Sequence, residues 1–206
     1  LWYTLSMSNQ LARFDTAKKT WELFDLPTRS LLQSLVVSHV PLVLWFGEVL
    51  ETKTLPTDNP ELMPIAYGVD VAPDGKIWWS QFNNHRIGWF DPKTKVMKPI
   101  DTPFFGPRRF RIDSKGILWI PAYAEGTIYR YDPKRGAFKK YALPTGAGDA
   151  IYALNIDHRD DSVWLCAANS SSLIHFDPVS ERFTVYPMPN LVTFTREIEL
   201  DDATIM

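Results

Sequence analysis

The residue types able to do chemistry are few in this chain and widely spaced. Four histidines, His39, His85, His158 and His175, include no two at a ligand-like spacing, so none is read as a metal ligand. Cys166 is the single cysteine, which excludes an internal disulfide and a cysteine-based metal cluster. No Gly-rich phosphate loop and no arguable Ser-His-Asp ordering is present. What remains is a set of candidates for holding a small molecule. Arg108, Arg109 and Arg111 follow Gly106-Pro107. On a strand, 109 and 111 share one face and 108 takes the other, where it could meet an anionic or carbonyl group. The competing reading is a salt bridge to a neighbouring element, which Arg196-Glu197 could supply. Tyr67, Tyr123 and Tyr152 would add an aromatic rim suited to a flat, ring-rich ligand, or else serve packing. His85 lies in a loop beside Asn83, Asn84 and Arg86, where it meets a ligand or closes the loop by a hydrogen bond. Asp160-Asp161 and Asp201-Asp202 look like calcium pairs but read as solvated turn residues.

The elements that must position these groups recur along the chain. Trp2, Trp78, Trp119 and Trp164 are each followed 13 positions later by Asp15, Asp91, Asp132 and Asp177, and those 12 positions later by Pro27, Pro103, Pro144 and Pro189. Two intervals repeated without slippage mark an internal repeat. Around them lie strand signals: Tyr67–Val71, Ile77–Ser80, Arg86–Phe90, then an alternating outer strand such as Ala137–Leu143. Gly75 and Gly116 suit hairpin turns, and Asp-Pro at 91–92, 132–133 and 177–178 suits the next one. Four short antiparallel strands per copy predict an all-β fold, a β-propeller blade with the repeat Trp packed between neighbouring blades. Three blades are complete (65–105, 106–147 and 148–190). The first shows its second to fourth strands, Leu1 to Pro27, and the last only a first strand, Leu191 to Asp201. The expectation is a single propeller domain over 1–206, a piece of a larger ring with truncated termini.

The remaining segment, 28–64, is an insertion. Its stretch LLQSLVVSHVPLVLWFGEVL at 31–50 is apolar and nearly uncharged. The blades on either side must close one ring, so a single membrane crossing is excluded. One or two short helices broken near Pro41 are expected, with a surface contact to a membrane or partner through 31–50 as the alternative, and an irregular return over 56–64. Net charge is −2 and the pI about 6.1, which argues against nucleic acid as the main partner. No signal peptide is visible, and the compartment stays open between cytoplasm, periplasm and secretion.

PDGKIWWSQFNNHRIGWFDPKT (73–94), GPRRFRIDSKGILWI (106–120), RYDPKRGAFKKYALPT (130–145) and HFDPVSERFTVYPMP (175–189) resemble the blades of the virginiamycin B lyases, also called streptogramin B lyases, which are seven-bladed propellers. The resemblance covers nearly the whole chain except 28–64. It implies an elimination that opens a cyclic depsipeptide at its ester link, with a His general base and Mg²⁺ held by Glu residues. The family's His positions fall here on Tyr67, Arg108, Tyr152 and Arg196. Its Glu positions fall on Ile65, Gly106, Ala150 and Phe194, and after the Trp on Gln81 and Phe82, Ala122 and Tyr123, Ala167 and Ala168. No catalytic residue is assigned, and catalytic groups are expected outside these residues. Tyr67, Gln81, His85, Arg108, Tyr123, Tyr152, Arg196 and Glu197 are the candidates for binding a small molecule on the top face. The alternatives are a non-catalytic sensor propeller binding a ligand or a protein, and a gluconolactonase-like hydrolase.

Overall fold

Each repeat aspartate builds its own turn. Asp15 Oδ1 accepts from the backbone N–H groups of Ala17 and Lys18, and Asp91 and Asp132 do the same two and three residues on. Four residues after each Asp, the N–H of Lys19, Lys95 or Gly136 donates to the Asp carbonyl at 2.8 Å. That residue is left-handed in every copy: Lys19, Lys95, Gly136 and Glu181 have φ between 55° and 62°. Only one copy uses glycine, so in the others the Asp side chain offsets the cost of a positive φ.

In this computed structural model, residues 1–51, 54–123 and 125–201 are described. Fifteen strands form four antiparallel sheets. The first holds β1 (Trp2–Leu5), β2 (Gln10–Asp15) and β3 (Thr20–Asp25). The second holds β4 (Ala66–Val71), β5 (Ile77–Gln81), β6 (Arg86–Phe90) and β7 (Met97–Asp101). The third holds β8 (Arg111–Ile112), β9 (Leu118–Ala122), β10 (Thr127–Asp132) and β11 (Ala137–Ala142). The fourth holds β12 (Ile151–Asp157), β13 (Ser162–Ala167), β14 (Ser172–Asp177) and β15 (Arg182–Pro187). Strand order follows the chain within every sheet, the up-and-down meander of propeller blades.

The chain divides into two compact units, Leu1–Val69 with Lys76–Gly106, and Asp70–Gly75 with Pro107–Met206. In the second unit the third and fourth sheets share one core, in which Trp119 lies 5.4 Å from Phe176 and 6.0 Å from Tyr141. Trp119 Nε1 donates to Asp113 Oδ2, so the indole's polar edge is satisfied. In the first unit Trp2 of the first sheet packs on Phe90 of the second. The repeat Trp thus packs between sheets in these copies, as expected. In the first unit, however, the fully buried indole of that core belongs to Trp79, one residue past the repeat position, which sits on the opposite face of β5.

Two expectations are corrected. Residues 191–201 form no strand: they pair with no ladder and are held by single contacts, such as Asn155 Nδ2 to Ile198 O at 3.2 Å. Asp161 is no solvated turn residue. It is buried, and its carboxylate receives Ser114 N, Ser114 Oγ and the Lys115 ammonium, joining the turn of the fourth sheet to that of the third. Asp201 is exposed, and Asp202 lies outside the described residues.

The insertion forms α1 (Leu31–Ser38) and α2 (Val40–Val49), bent by 70° at His39, with Pro41 in the first turn of α2. Ser30 caps α1 by accepting from Gln33 N. Gly47 is required by close packing: a Cβ there would stand 2.4 Å from Leu55. Neither helix is long and apolar enough to cross a membrane.

Candidate functional site

The third and fourth sheets bring four of the candidates together. Arg108 precedes β8, and its guanidinium carbon lies 4.0 Å from the ring centre of Tyr123 and 4.1 Å from that of Tyr152. The two rings meet edge to face, 6.3 Å apart. Arg196 approaches the same Tyr152 and Phe194, 5.4 Å from each ring. A cation over an aromatic face is held by the ring quadrupole, at about 0.5–2 kcal/mol per contact. Arg108, Tyr152 and Arg196 occupy the same place in three successive copies of the repeat, although only Tyr152 lies on a strand. That repetition is why three residues so far apart in sequence converge.

Arg108 and Arg109 precede β8 and both approach Tyr152, the Arg109 guanidinium carbon at 5.8 Å, so the expected division between faces does not separate them, and the salt bridge falls to Arg109. Glu197 pairs with Arg109, which also donates to Arg196 O, while Arg108 is held by the rings. The Glu197 carboxylate thus ties its segment to the residues leading into the third sheet, and its carbonyl accepts from Cys166 Sγ of the fourth at 3.3 Å. Burial pushes the Cys166 thiol up, which leaves it a poor nucleophile.

The other candidates lie in the first unit. Tyr67, Phe82, Phe105 and His85 form an aromatic run, with centres 6.2, 5.7 and 4.5 Å apart in that order. His85 is left-handed, with φ 50°, and so are its equivalents in the other sheets, Asn9, Gly126 and Ser171. In each copy that residue's carbonyl accepts from the first residue beyond the fourth strand: Leu26, Thr102, Leu143 and Met188. The backbone of His85 is thus a turn device, while its ring packs against Phe105 at a tilt of 47°.

Gln81 is fully buried and its amide is engaged on both atoms. Nε2 donates to Asn9 Oδ1 at 2.7 Å and to Pro27 O at 2.9 Å, and Oε1 accepts from Asn84 Nδ2. Asn84 in turn exchanges hydrogen bonds with Gln33 of α1. The chain of amides ends at Arg29, which donates to Asn84 O and Asp101, where Arg86 also pairs. This network is the feature that residue-by-residue reading missed. Only Gln81 lies on a strand; Gln33 is on α1 and Asn9 and Asn84 are in turns, so the strand pattern carried no signal for the network. A groove of about 1010 Å³ between the insertion and the first sheet was also unforeseen; Met7, Leu26, Val37, Val40 and Pro41 line its apolar part.

Mg²⁺ does not fit these residues. At the family's Glu positions stand apolar residues, a glycine and the committed amide of Gln81, and no three His, Cys, Asp or Glu come together among the described residues.

No protein-family model and no curated protein matches the chain. Among solved structures it is similar to virginiamycin B lyase from Staphylococcus aureus, at 19% identity and a TM-score of 0.68 over 94% of this chain and 53% of that one. The catalytically inactive variant of that lyase, solved with quinupristin, matches to the same degree. The extracellular domain of a one-component system from B. thetaiotaomicron matches over 62% of this chain and 16% of its own, at 18% identity and a TM-score of 0.50. These likenesses establish the fold: the sheets are blades of a β-propeller like that of the streptogramin B lyases. The chain spans about half the length of the lyases it matches.

Proposed function

We propose that this chain is the ligand-holding part of a streptogramin-lyase-like propeller, which binds a ring-rich, carbonyl-bearing small molecule at Arg108, Tyr123, Tyr152 and Arg196. The observation that carries the reading is the guanidinium of Arg108 between two tyrosine rings in the place where the related lyases carry their reactive side chains. The tyrosine rings offer apolar area and a preformed shape, and the two cations offer charge to carbonyl oxygens. On this reading the general base and any Mg²⁺ of an elimination are supplied by residues outside these 206.

The mismatch at every family His and Glu position favours a second reading, a propeller that binds the same class of molecule without cleaving it. One experiment separates the two. Quinupristin is incubated with the complete gene product, with Mg²⁺ and with EDTA, and followed by mass spectrometry and calorimetry. A ring-opened product of unchanged mass, formed only with metal, supports the lyase. Binding without opening supports the sensor. Neither binding nor opening refutes the ligand class.

A further inference from the structure

We propose that the helical insertion beds this protein on one leaflet of a lipid bilayer, through the acyl region rather than through headgroup charge. This rests on the first unit alone and is independent of the ligand reading.

The apolar exposure is unusual in extent. On α2 the sides of Val40 and Gly47 are buried, while Leu42, Leu44, Trp45, Phe46 and Val49 are 44–56% exposed. At 100° per residue these exposed positions span about 200°, just over half of the helix circumference. Glu48 is the one charge among them. On α1, Leu31, Leu32 and Leu35 are 91%, 56% and 58% exposed, while Gln33 and Val36 face inward.

That distribution selects the occupant. A helix received by a protein groove presents one apolar stripe, about 100° wide, and keeps a polar back. The α2 helix has no polar back, and a helix apolar on most sides needs an environment that closes around it. Acyl chains supply one. At ten residues α2 is about 15 Å long, half the ~30 Å hydrocarbon thickness, so a single leaflet suffices. Both ends of the insertion return to the same unit, as a surface-bound element requires.

Polar satisfaction points the same way. At the bend, His39 Nδ1 lies 2.9 Å from Leu35 O, His39 N donates to Val36 O, and Val43 N donates to His39 O. Ser38 Oγ donates to Ser34 O at 2.7 Å. Hydrocarbon demands such internal pairing, because water is not there to replace it. The inward edge is latched by the Gln33–Asn84–Gln81 amides and by Val36 and Val40 packed on Met63, so the outer apolar face is held out rather than folded in.

Charge excludes the electrostatic route. From 30 to 52 there is no Lys or Arg, and the charged residues are Glu48 and Glu51. Polybasic attraction to anionic lipids is therefore absent from this segment.

The test is flotation of the full chain with vesicles of phosphatidylcholine alone and with about a third phosphatidylglycerol, at low and high salt. The expected result is flotation with both, unchanged by salt. The double variant Leu42→Glu/Phe46→Glu should lose at least tenfold in partitioning, with unchanged strand circular dichroism. These side chains are exposed, so the fold tolerates them. Nitroxide-labelled lipid should quench a tryptophan signal that is missing in Trp45→Phe; this readout stands even if the double variant fails to fold. Protein that stays at the bottom of both gradients overturns the proposal. So does flotation confined to anionic vesicles and abolished by salt. An oligomer that the double variant converts to monomer, without lipid binding, overturns it in favour of a protein partner.

Discussion

Replacing Gln33 by alanine tests whether the insertion is built into the first unit or merely attached to it. The Gln33 amide makes four hydrogen bonds, all with partners of fixed position. Nε2 donates to Glu61 O at 2.8 Å and Asn84 Oδ1 at 2.7 Å, and Oε1 accepts from Arg29 N at 2.8 Å and Asn84 Nδ2 at 3.2 Å. Gln33 is 1% exposed and Asn84 2%, so water cannot replace these partners without opening the structure. A neutral hydrogen bond contributes about 1 kcal/mol net, and each buried group left without a partner costs about 1–3 kcal/mol. Truncation removes all four bonds and takes the partner from Asn84 Oδ1, Glu61 O and Arg29 N, while Asn84 Nδ2 keeps Gln81 Oε1, so the loss should be about 3–5 kcal/mol. Against a total stability of about 5–15 kcal/mol for a domain, that is a large fraction.

The assay is urea unfolding followed by tryptophan emission, with limited proteolysis in parallel. Either the midpoint falls by the stated amount, or α1 detaches locally and new cleavage appears within 30–64. Ser38→Ala, at the exposed end of α1, is the control and should move the midpoint by under about 0.5 kcal/mol. A Gln33→Ala protein with an unchanged midpoint and an unchanged cleavage pattern would refute the network as a structural latch.

Four further outcomes are expected. Arg108→Met keeps most of the apolar stem between Tyr123 and Tyr152 but removes the charge, so quinupristin affinity should fall at least tenfold by calorimetry with little change in melting temperature. Gly88→Ala should destabilise the second sheet by about 3 kcal/mol in urea, since a Cβ there would stand 2.2 Å from the buried Trp79 ring and 2.6 Å from Lys98 O. The Arg159 guanidinium, hydrogen-bonded to Asp157, holds its carboxyl at about 2, below the ordinary aspartate value. Its folded value lies under the unfolded one, so the stabilisation is complete above pH 4 and lost as pH falls through 2; acid titration of Asp157→Asn should show a flatter curve in that window. His85→Asn should leave thermal stability unchanged, because Asn accepts a left-handed backbone, whereas His85→Val should cost more than 1 kcal/mol.

The blade was legible because its signals are local. Asp91 and Asp132 fold their own turns through backbone N–H groups two and three residues away, and β5, β6 and β10 begin where the apolar alternation begins. The insertion was legible for the same reason, since Pro41 must sit near a helix start. Residues 191–201 show the limit. Their sequence reads as a first strand, and Phe194 is left-handed like Ile65 and Gly106 at the same place in earlier repeats. A strand is nonetheless defined by its ladder, and here side-chain contacts stand in its place. The amide network was invisible for a related reason. Gln33, Gln81 and Asn84 are separated by up to 51 positions, and nothing in the local pattern says that inward-facing amides will meet one another rather than a ligand.

The two kinds of position in each repeat obey different rules, and this decides where function can reside. At the turn after the second strand, Asn9, His85, Gly126 and Ser171 share one backbone conformation and one carbonyl hydrogen bond, with four different side chains. The backbone fixes the place while the residue type varies, although Gly126 has no room for a Cβ and Asn9 is held by Leu26 O and Gln81. At the place that opens each repeat, Tyr67, Arg108, Tyr152 and Arg196 stand outside the turns, and three of them converge in the second unit. A scaffold of this kind can change its ligand without touching a turn or a core residue. That is why likeness of blades carries the fold so far and the reaction so little, and why Arg108 and Tyr152, rather than the repeated Trp and Asp, are the residues whose substitution should separate binding from stability.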